Sequence, residues 1–232
     1  DLACGQGFFT RAFRKEGAVA TGVDMSASLI DFAKKQSPKE IRYFVCSADD
    51  LSVFKDGYFE KISLVLAIQN IKEPHRVFKE CFRILRPGGK VFLVLNHPAF
   101  RGPKESSWGI DETSKIQYRR IDRYMSESKI IIDMSPSKPG TVETVSFHRP
   151  LQYYFKTLAN AGFVVARLEE WISHRESDKG PHKIAEDQAR NEIPLFLFLE
   201  AVKPELGNVN LETKRPSTKR PSKPELGNET SK

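Results

Sequence analysis

The sequence predicts an α/β domain built on a doubly wound, mostly parallel sheet with an antiparallel last strand. Three observations predict it. Six apolar or mixed runs, Val19–Val23, Ile41–Val45, Phe59–Ile68, Lys90–Leu95, Phe163–Trp171 and Ile193–Val202, are each short enough for a strand. Helical stretches separate the first of them, and the links are short, which is the rhythm of β–α–β units. The chain has 232 residues and 39% apolar content, enough for one domain with a real core. No run reaches the roughly 18 to 20 apolar residues of a membrane span.

The elements follow in order. A glycine loop, Cys4–Gly7, opens into a helix over Phe8–Lys15, and Ala18–Val23 reads as a strand. Ser26 is a helix N-cap, and Leu29, Ile30 and Ala33 give the following helix an apolar stripe up to Lys35. Ile41–Val45 alternates as a strand, and Phe59–Ile68 is nearly continuous, as a strand buried on both faces would be. Glu73–Leu85 carries Val77, Phe78, Cys81, Phe82 and Leu85 on one helical face. Pro87-Gly88-Gly89 is expected to stop that helix as a structural turn before the strand Val91–Leu95.

The second half loses this rhythm. Residues 98–147 read as a lid or acceptor-side insertion, with Lys129–Met134 and Thr141–Phe147 able to pair as a hairpin across Ser135–Gly140. Leu151–Ala161 is then a helix stopped by Gly162, Phe163–Trp171 a strand, Lys183–Asn191 a helix, and Ile193–Val202 the closing strand. The domain is thus expected over 1–202. Residues 203–232 repeat Lys-Pro-Glu-Leu-Gly-Asn at 203–208 and 223–228 and read as a disordered tail.

Charge and cysteines exclude little. The net charge is +7; the tail holds seven Lys or Arg against four Glu, a net +3, which leaves +4 on the body. That excess does not establish nucleic-acid binding without clustering on one face. Cys4, Cys46 and Cys81 form no Cys-x-x-Cys pair, so no metal site is expected, and sparse thiols fit a reducing cytoplasm.

Asp1-Leu-Ala-Cys-Gly-Gln-Gly7 carries the chemistry. A strand end, two glycines and a helix start allow close approach of backbone to a ligand at a helix N-terminus. A dinucleotide fingerprint begins the same way, but its third glycine is here Thr10. Asp24, ending the next strand, suits a ribose diol in either case.

With Gly22-Val-Asp-Met-Ser26, Ser47-Ala-Asp-Asp-Leu51 and Arg83-Ile-Leu-Arg-Pro-Gly-Gly89 in order behind it, this loop resembles class I S-adenosylmethionine (SAM)-dependent methyltransferases, most of all the ubiquinone-type and small-molecule group. The resemblance is strong over 1–97 and weaker over 150–202. It implies a Rossmann-like, seven-stranded sheet whose first strand is incomplete, because the sequence begins inside the motif and the family's leading helix would precede Asp1. It implies SAM as cofactor. Asp1, Ala3, Gly5 and Gly7 would hold its methionine end and ribose, Asp24 the ribose hydroxyls, Met25 the adenine face, Ala48 and Asp49 the adenine edge, and Ala67 the sulfonium side. Two positions depart from the family pattern. Ala3 replaces its first glycine, and Ser47 stands where an adenine-binding Asp is frequent.

The methyl acceptor is expected to be a small organic molecule. The chain reads Ala67-Ile68-Gln69-Asn70-Ile71 where base-amine methyltransferases carry Asn/Asp-Pro-Pro-Tyr, and it lacks Pro-Cys there. His97, His148 and Tyr118 are the candidates for a base or acceptor-orienting group, with Trp108 and Tyr124 as further walls. Tyr118-Arg-Arg-Ile-Asp-Arg-Tyr124 keeps an RNA or protein methyltransferase open as an alternative. A non-catalytic SAM- or nucleotide-binding protein is the third reading, and the oligomeric state is left open.

Overall fold

The computed structural model describes residues 1–102, 106–133 and 143–205. In order these hold α1 (Phe8–Lys15), β1 (Thr21–Asp24), α2 (Ala27–Lys35), β2 (Arg42–Val45), β3 (Phe59–Val65), a short 3-10 helix (Ile68–Asn70), α3 (Pro74–Ile84) and β4 (Leu85–Asn96). They continue with β5 (Ser106–Asp111), β6 (Ile116–Ile121), β7 (Ser128–Asp133), β8 (Glu143–His148), α4 (Leu151–Ala161), β9 (Val164–Trp171), α5 (Lys183–Glu192) and β10 (Phe196–Val202). The expected tail beyond Glu205, with the second copy of its hexamer, and the turn expected at Ser135–Gly140 lie outside the described residues.

Parallel pairing joins β1 to β2 and β3 to β4, whereas β10 lies antiparallel between β4 and β9. The segment before the glycine loop runs beside both parallel pairs. Val23 N–H donates to Asp1 O and Cys4 N–H to Val23 O, each at 2.9 Å, while Leu2 N–H donates to Ser63 O at 2.9 Å. The main core, which includes Leu64, Leu93, Leu95, Phe78, Leu158 and Leu197, packs α3 and α4 against β3, β4 and β10. A smaller cluster of Ile30, Ala33, Ile41 and Tyr43 seats α2 on β2. Ser26 caps α2 as its sequence suggests, accepting from Leu29 N–H at 3.4 Å.

Several boundaries move for physical reasons. The run Phe59–Ile68 is strand only to Val65; Leu66 turns left-handed, with φ +53°, and the chain enters the 3-10 helix. Pro87-Gly88-Gly89 is not a separate turn after α3 but part of the next strand. The helix ends at Ile84, Leu85 is already extended, and Arg86, directly before Pro87, is disfavoured in helical backbone, so 85–89 open β4. The register against β3 jumps from Phe59–Leu85 to Lys61–Lys90, so this stretch is a bulge. It also holds the residue read as the first of the tail: Gly88 N–H donates to Lys203 O at 2.9 Å and Lys203 N–H to Gly89 O at 2.8 Å. Lys203 Nζ donates to Phe82 O and Leu85 O. Within 98–147, β7 and β8 pair as expected, and a hairpin of β5 and β6 appears that the mixed polar-aromatic pattern concealed.

Candidate cofactor and acceptor site

The glycine loop leaves the strand edge through three left-handed residues, Ala3 (φ +55°), Gly5 (φ +53°) and Gly7 (φ +74°). Alanine pays about 1–2 kcal/mol for that conformation and glycine almost nothing. Ala3→Gly should therefore stabilise the fold by about 0.5–1 kcal/mol, after the extra chain entropy glycine gains on unfolding. A urea titration that finds no gain would show that Ala3 is not strained.

The two glycines serve different ends. A Cβ on Gly5 would meet nothing within 4 Å, so the loop presents open space there. A Cβ on Gly7 would lie 2.4 Å from the Tyr43 hydroxyl and 3.1 Å from the Ala33 Cβ. Gly7, assigned to the cofactor by resemblance, also lacks room for a side chain because Tyr43 and Ala33 pack against it, which seats the start of α1 on α2 and β2.

Asp24, at the end of β1, reaches across to the loop. Its Oδ2 accepts from Gly5 N–H at 2.8 Å and its Oδ1 from Ser26 N–H at 2.9 Å. Each oxygen keeps a second lone pair, so the carboxylate can still accept from two vicinal hydroxyls. Asp1 is held in the same edge: Thr10 Oγ1 donates to Oδ2 at 2.6 Å and Ser63 Oγ to Oδ1 at 3.2 Å. Thr10, fully buried in α1, thus has a definite task where a dinucleotide fold would have glycine.

The remaining cofactor candidates line up along this edge. Met25 is 77% exposed, an apolar side chain left uncovered beside the Asp24 carboxylate. Cys46 N–H donates to Asp24 O at 3.1 Å, which brings the loop after β2 alongside. In that loop Ser47 Oγ donates to Asp49 Oδ1 at 2.5 Å, Arg76 Nε stands 3.8 Å from Asp49 Oδ2, and Ala48 rests on the main core. Ala67 follows the strained Leu66 at the end of β3 and also rests on the core. A cavity of about 580 Å³ lies at the opposite edge, where Asp56, Gly57, Arg83 and Pro87 surround the amino ends of β3 and β4.

The acceptor-side candidates separate. His97, directly after β4, is 4% exposed, and both its ring nitrogens are engaged. Nδ1 faces the N–H groups of Ala99 (3.2 Å) and Phe100 (3.3 Å), so it is an acceptor and Nε2 carries the hydrogen given to Glu170 Oε1 at 2.8 Å. This leaves no lone pair for a substrate proton. Burial lowers the His97 pKa from 6.5 and outweighs the pull of Glu170. The unfolded chain then binds a proton more readily than the folded one, so stability present above pH 6.5 should drain away as pH falls below it. Urea midpoints measured between pH 7 and 5 should slope down, and less steeply in His97→Phe; parallel slopes would refute it.

His148 is equally buried, but its Nε2 donates to the Tyr124 carbonyl at 2.8 Å, which puts the neutral ring's lone pair on Nδ1. Tyr124 also accepts Leu151 N–H on its hydroxyl at 2.8 Å, so it is a strut of the insertion. Tyr118 is 49% exposed, with its ring over Gly109 of the facing strand, and Trp108 lies under the Arg119 guanidinium at 4.8 Å. Arg119 donates to Phe100 O and Ser106 Oγ, and Arg120 to Asp122. The basic run is thus spent partly on the insertion itself. Two residues escaped the sequence reading, Gln69 and Arg149; both are polar and buried. Nothing in their residue types distinguishes them from surface positions.

Among the described residues no cluster of three or more His, Cys, Asp or Glu could hold a metal, and no helix is long and apolar enough to cross a membrane. Residues 1–93 match the family model for a methyltransferase domain. The chain is similar to a ubiquinone biosynthesis O-methyltransferase of Coxiella burnetii, 36% identical over 103 residues, and to one of Xanthomonas oryzae, 29% identical over 96. These alignments cover 44% and 40% of this chain and the same shares of the relatives, so the chain spans less than half the length of the curated relatives it matches. The crystal structure of an S-adenosylmethionine-dependent methyltransferase from Mesorhizobium loti superposes with a TM-score of 0.68 at 26% identity, over 87% of this chain and 89% of that one. The first 93 residues thus carry the sequence of a methyltransferase domain, and the fold of the greater part of the chain is similar to that of SAM-dependent methyltransferases.

Proposed function

We propose that the protein transfers a methyl group from SAM to a small organic acceptor. The observation that carries this is the Asp24 carboxylate bridged to Gly5 N–H over an open, left-handed turn. A diol settling there gives its hydrogens to Asp24, while the missing Gly5 side chain lets the sugar approach the backbone. Bound SAM supplies a methyl already activated by the sulfonium. Asp1, fixed by Thr10 and Ser63, bounds the methionine end, Met25 offers an apolar face to the adenine, and Ala48 and Asp49 border its edge. Ala3 shapes the turn, and Ala67 borders the sulfonium side.

The two parallel pairs belong, in this reading, to one seven-stranded sheet. Support comes from residues 1–4, bonded to β1 on one side and to β3 on the other. Residues 98–147 form the acceptor side. His148, whose Nδ1 holds the lone pair, is the residue able to take an acceptor proton, and Tyr118 stands further out on the exposed hairpin. The ubiquinone-type relatives support a small organic acceptor, and partly internal use of Arg119 and Arg120 gives RNA less to bind.

Calorimetry with SAM, S-adenosylhomocysteine and NAD tests the cofactor: the first two should bind and NAD should not. Tritium transfer from labelled SAM into a metabolite extract, compared with an RNA fraction, tests the acceptor. Label confined to RNA would overturn the small-molecule reading.

A further inference from the structure

We infer that a small cavity at the carboxyl edge of the sheet is a subsite for a hydroxyl group of the methyl acceptor, an inference that rests on the SAM-dependent reading of the neighbouring loop. Its wall includes Gln69 beyond β3, His97 beyond β4, Arg101, and Ser146, Arg149 and Tyr154 from the far side. The space is about 20 Å³, room for one oxygen-sized group. Among the described residues no acidic side chain lines it, and the Arg101 guanidinium in its wall stacks on the Phe196 ring at 4.6 Å.

Among the described residues, two in this wall each leave one buried polar atom without a partner, one an acceptor and one a donor. Gln69 is 7% exposed, and its Nε2 donates to Leu66 O at 2.8 Å. A carbonyl can only accept, so this bond settles which end of the amide is nitrogen, and Oε1 stays buried without a donor. Arg149 is 4% exposed, and its Nη2 is pinned by Ile71 O at 3.0 Å and Lys72 O at 2.8 Å. Its Nη1 is buried without an acceptor. Glu127 comes no closer than 3.8 Å to Arg149 Nε, and the Tyr154 phenol beside the guanidinium stays protonated, burial pushing it up to about 12.

Buried polar groups are ordinarily satisfied, so a donor and an acceptor orphaned in one small wall define what completes them. A hydroxyl does so with a single atom: its oxygen accepts from Arg149 Nη1 and its hydrogen goes to Gln69 Oε1. A carboxylate would satisfy Arg149 but set its lone pairs against Oε1, and an ammonium would satisfy Gln69 against a guanidinium. Neither fits as well in a space for one oxygen.

The test uses 4-fluorophenol, 4-fluorobenzoate and 1,4-difluorobenzene as probes, read by ¹⁹F NMR on the full chain with S-adenosylhomocysteine present. The expected result is that 4-fluorophenol binds at least about ten-fold more tightly than either of the others. Gln69→Met and Arg149→Met should each weaken it at least about five-fold while leaving S-adenosylhomocysteine affinity within about two-fold, which reports an intact fold. If Arg149→Met loses S-adenosylhomocysteine, Gln69→Met and the probe ranking decide. Failure of the unaltered chain to bind S-adenosylhomocysteine would sink the methyltransferase reading itself. Binding of S-adenosylhomocysteine with no preference for 4-fluorophenol, with tighter 4-fluorobenzoate, or with unchanged affinity in Gln69→Met would overturn the hydroxyl subsite alone and leave a water or carboxylate site.

Discussion

Asp24→Ala should weaken SAM binding by about 1–3 kcal/mol, the usual scale for losing hydrogen bonds to a charged group. That is roughly 5- to 150-fold in affinity. The effect has two sources. The carboxylate oxygens that would receive the ribose hydroxyls disappear, and the N–H groups of Gly5 and Ser26 lose the acceptor that holds the loop in register. Asp24→Asn separates them. It retains one oxygen, so one of the two N–H bonds can persist while the charge is gone, and its affinity should fall between wild type and alanine. Calorimetric titration with SAM measures both. An alanine variant that binds SAM as tightly as the wild type would remove Asp24 from the ribose and leave it a loop tie.

Gly7→Ala should cost the largest stability of any glycine-loop change, about 2–4 kcal/mol. Left-handed backbone contributes about 1–2 kcal/mol, and forcing a methyl into a filled core contributes the rest. The new Cβ would stand 2.4 Å from the Tyr43 hydroxyl, which is itself held 2.9 Å from Ser37 Oγ. For a chain of this size the melting temperature should drop by roughly 5–15 °C. Gly5→Ala is the control. It carries the backbone penalty alone, because nothing lies within 4 Å, yet its methyl enters the space proposed for the cofactor. It should lose less stability than Gly7→Ala and more SAM affinity. Adding Tyr43→Phe to Gly7→Ala removes the oxygen in closest contact and should recover part of the loss. Equal melting temperatures for the two single variants would contradict this division of labour.

The parallel half of the fold was legible because its signals are local. Apolar runs, the Ser26 cap and the Gly162 stop each act within a few residues, and the structure places the elements of the first 65 residues close to their expected positions. The loop chemistry at Gly5 and Asp24 was legible for the same reason: a strand end, a small residue and an acid at a fixed spacing. Legibility failed where partners lie far apart in sequence. The β5–β6 hairpin alternates weakly, since Arg119 faces inward to Phe100 and Ser106 and breaks the polar-outward pattern. The Pro-Gly-Gly stretch read as a stop because proline and glycine usually are, but its pairing with Lys203 makes it a bulge in β4.

By itself the sequence determined the α/β class, the strand edge that carries the glycine loop, and the acid bonded to that loop, because period, turn chemistry and spacing are properties of neighbouring residues. Only the tertiary structure decided which groups are left with chemistry to offer. It took Gly7 into packing, closed both nitrogens of His97 between β4 and β9, and left Gln69 and Arg149, eighty positions apart, each with an unpartnered atom in one wall. A side chain's free lone pair or hydrogen is what remains after its neighbours have taken theirs, and those neighbours are chosen by the fold.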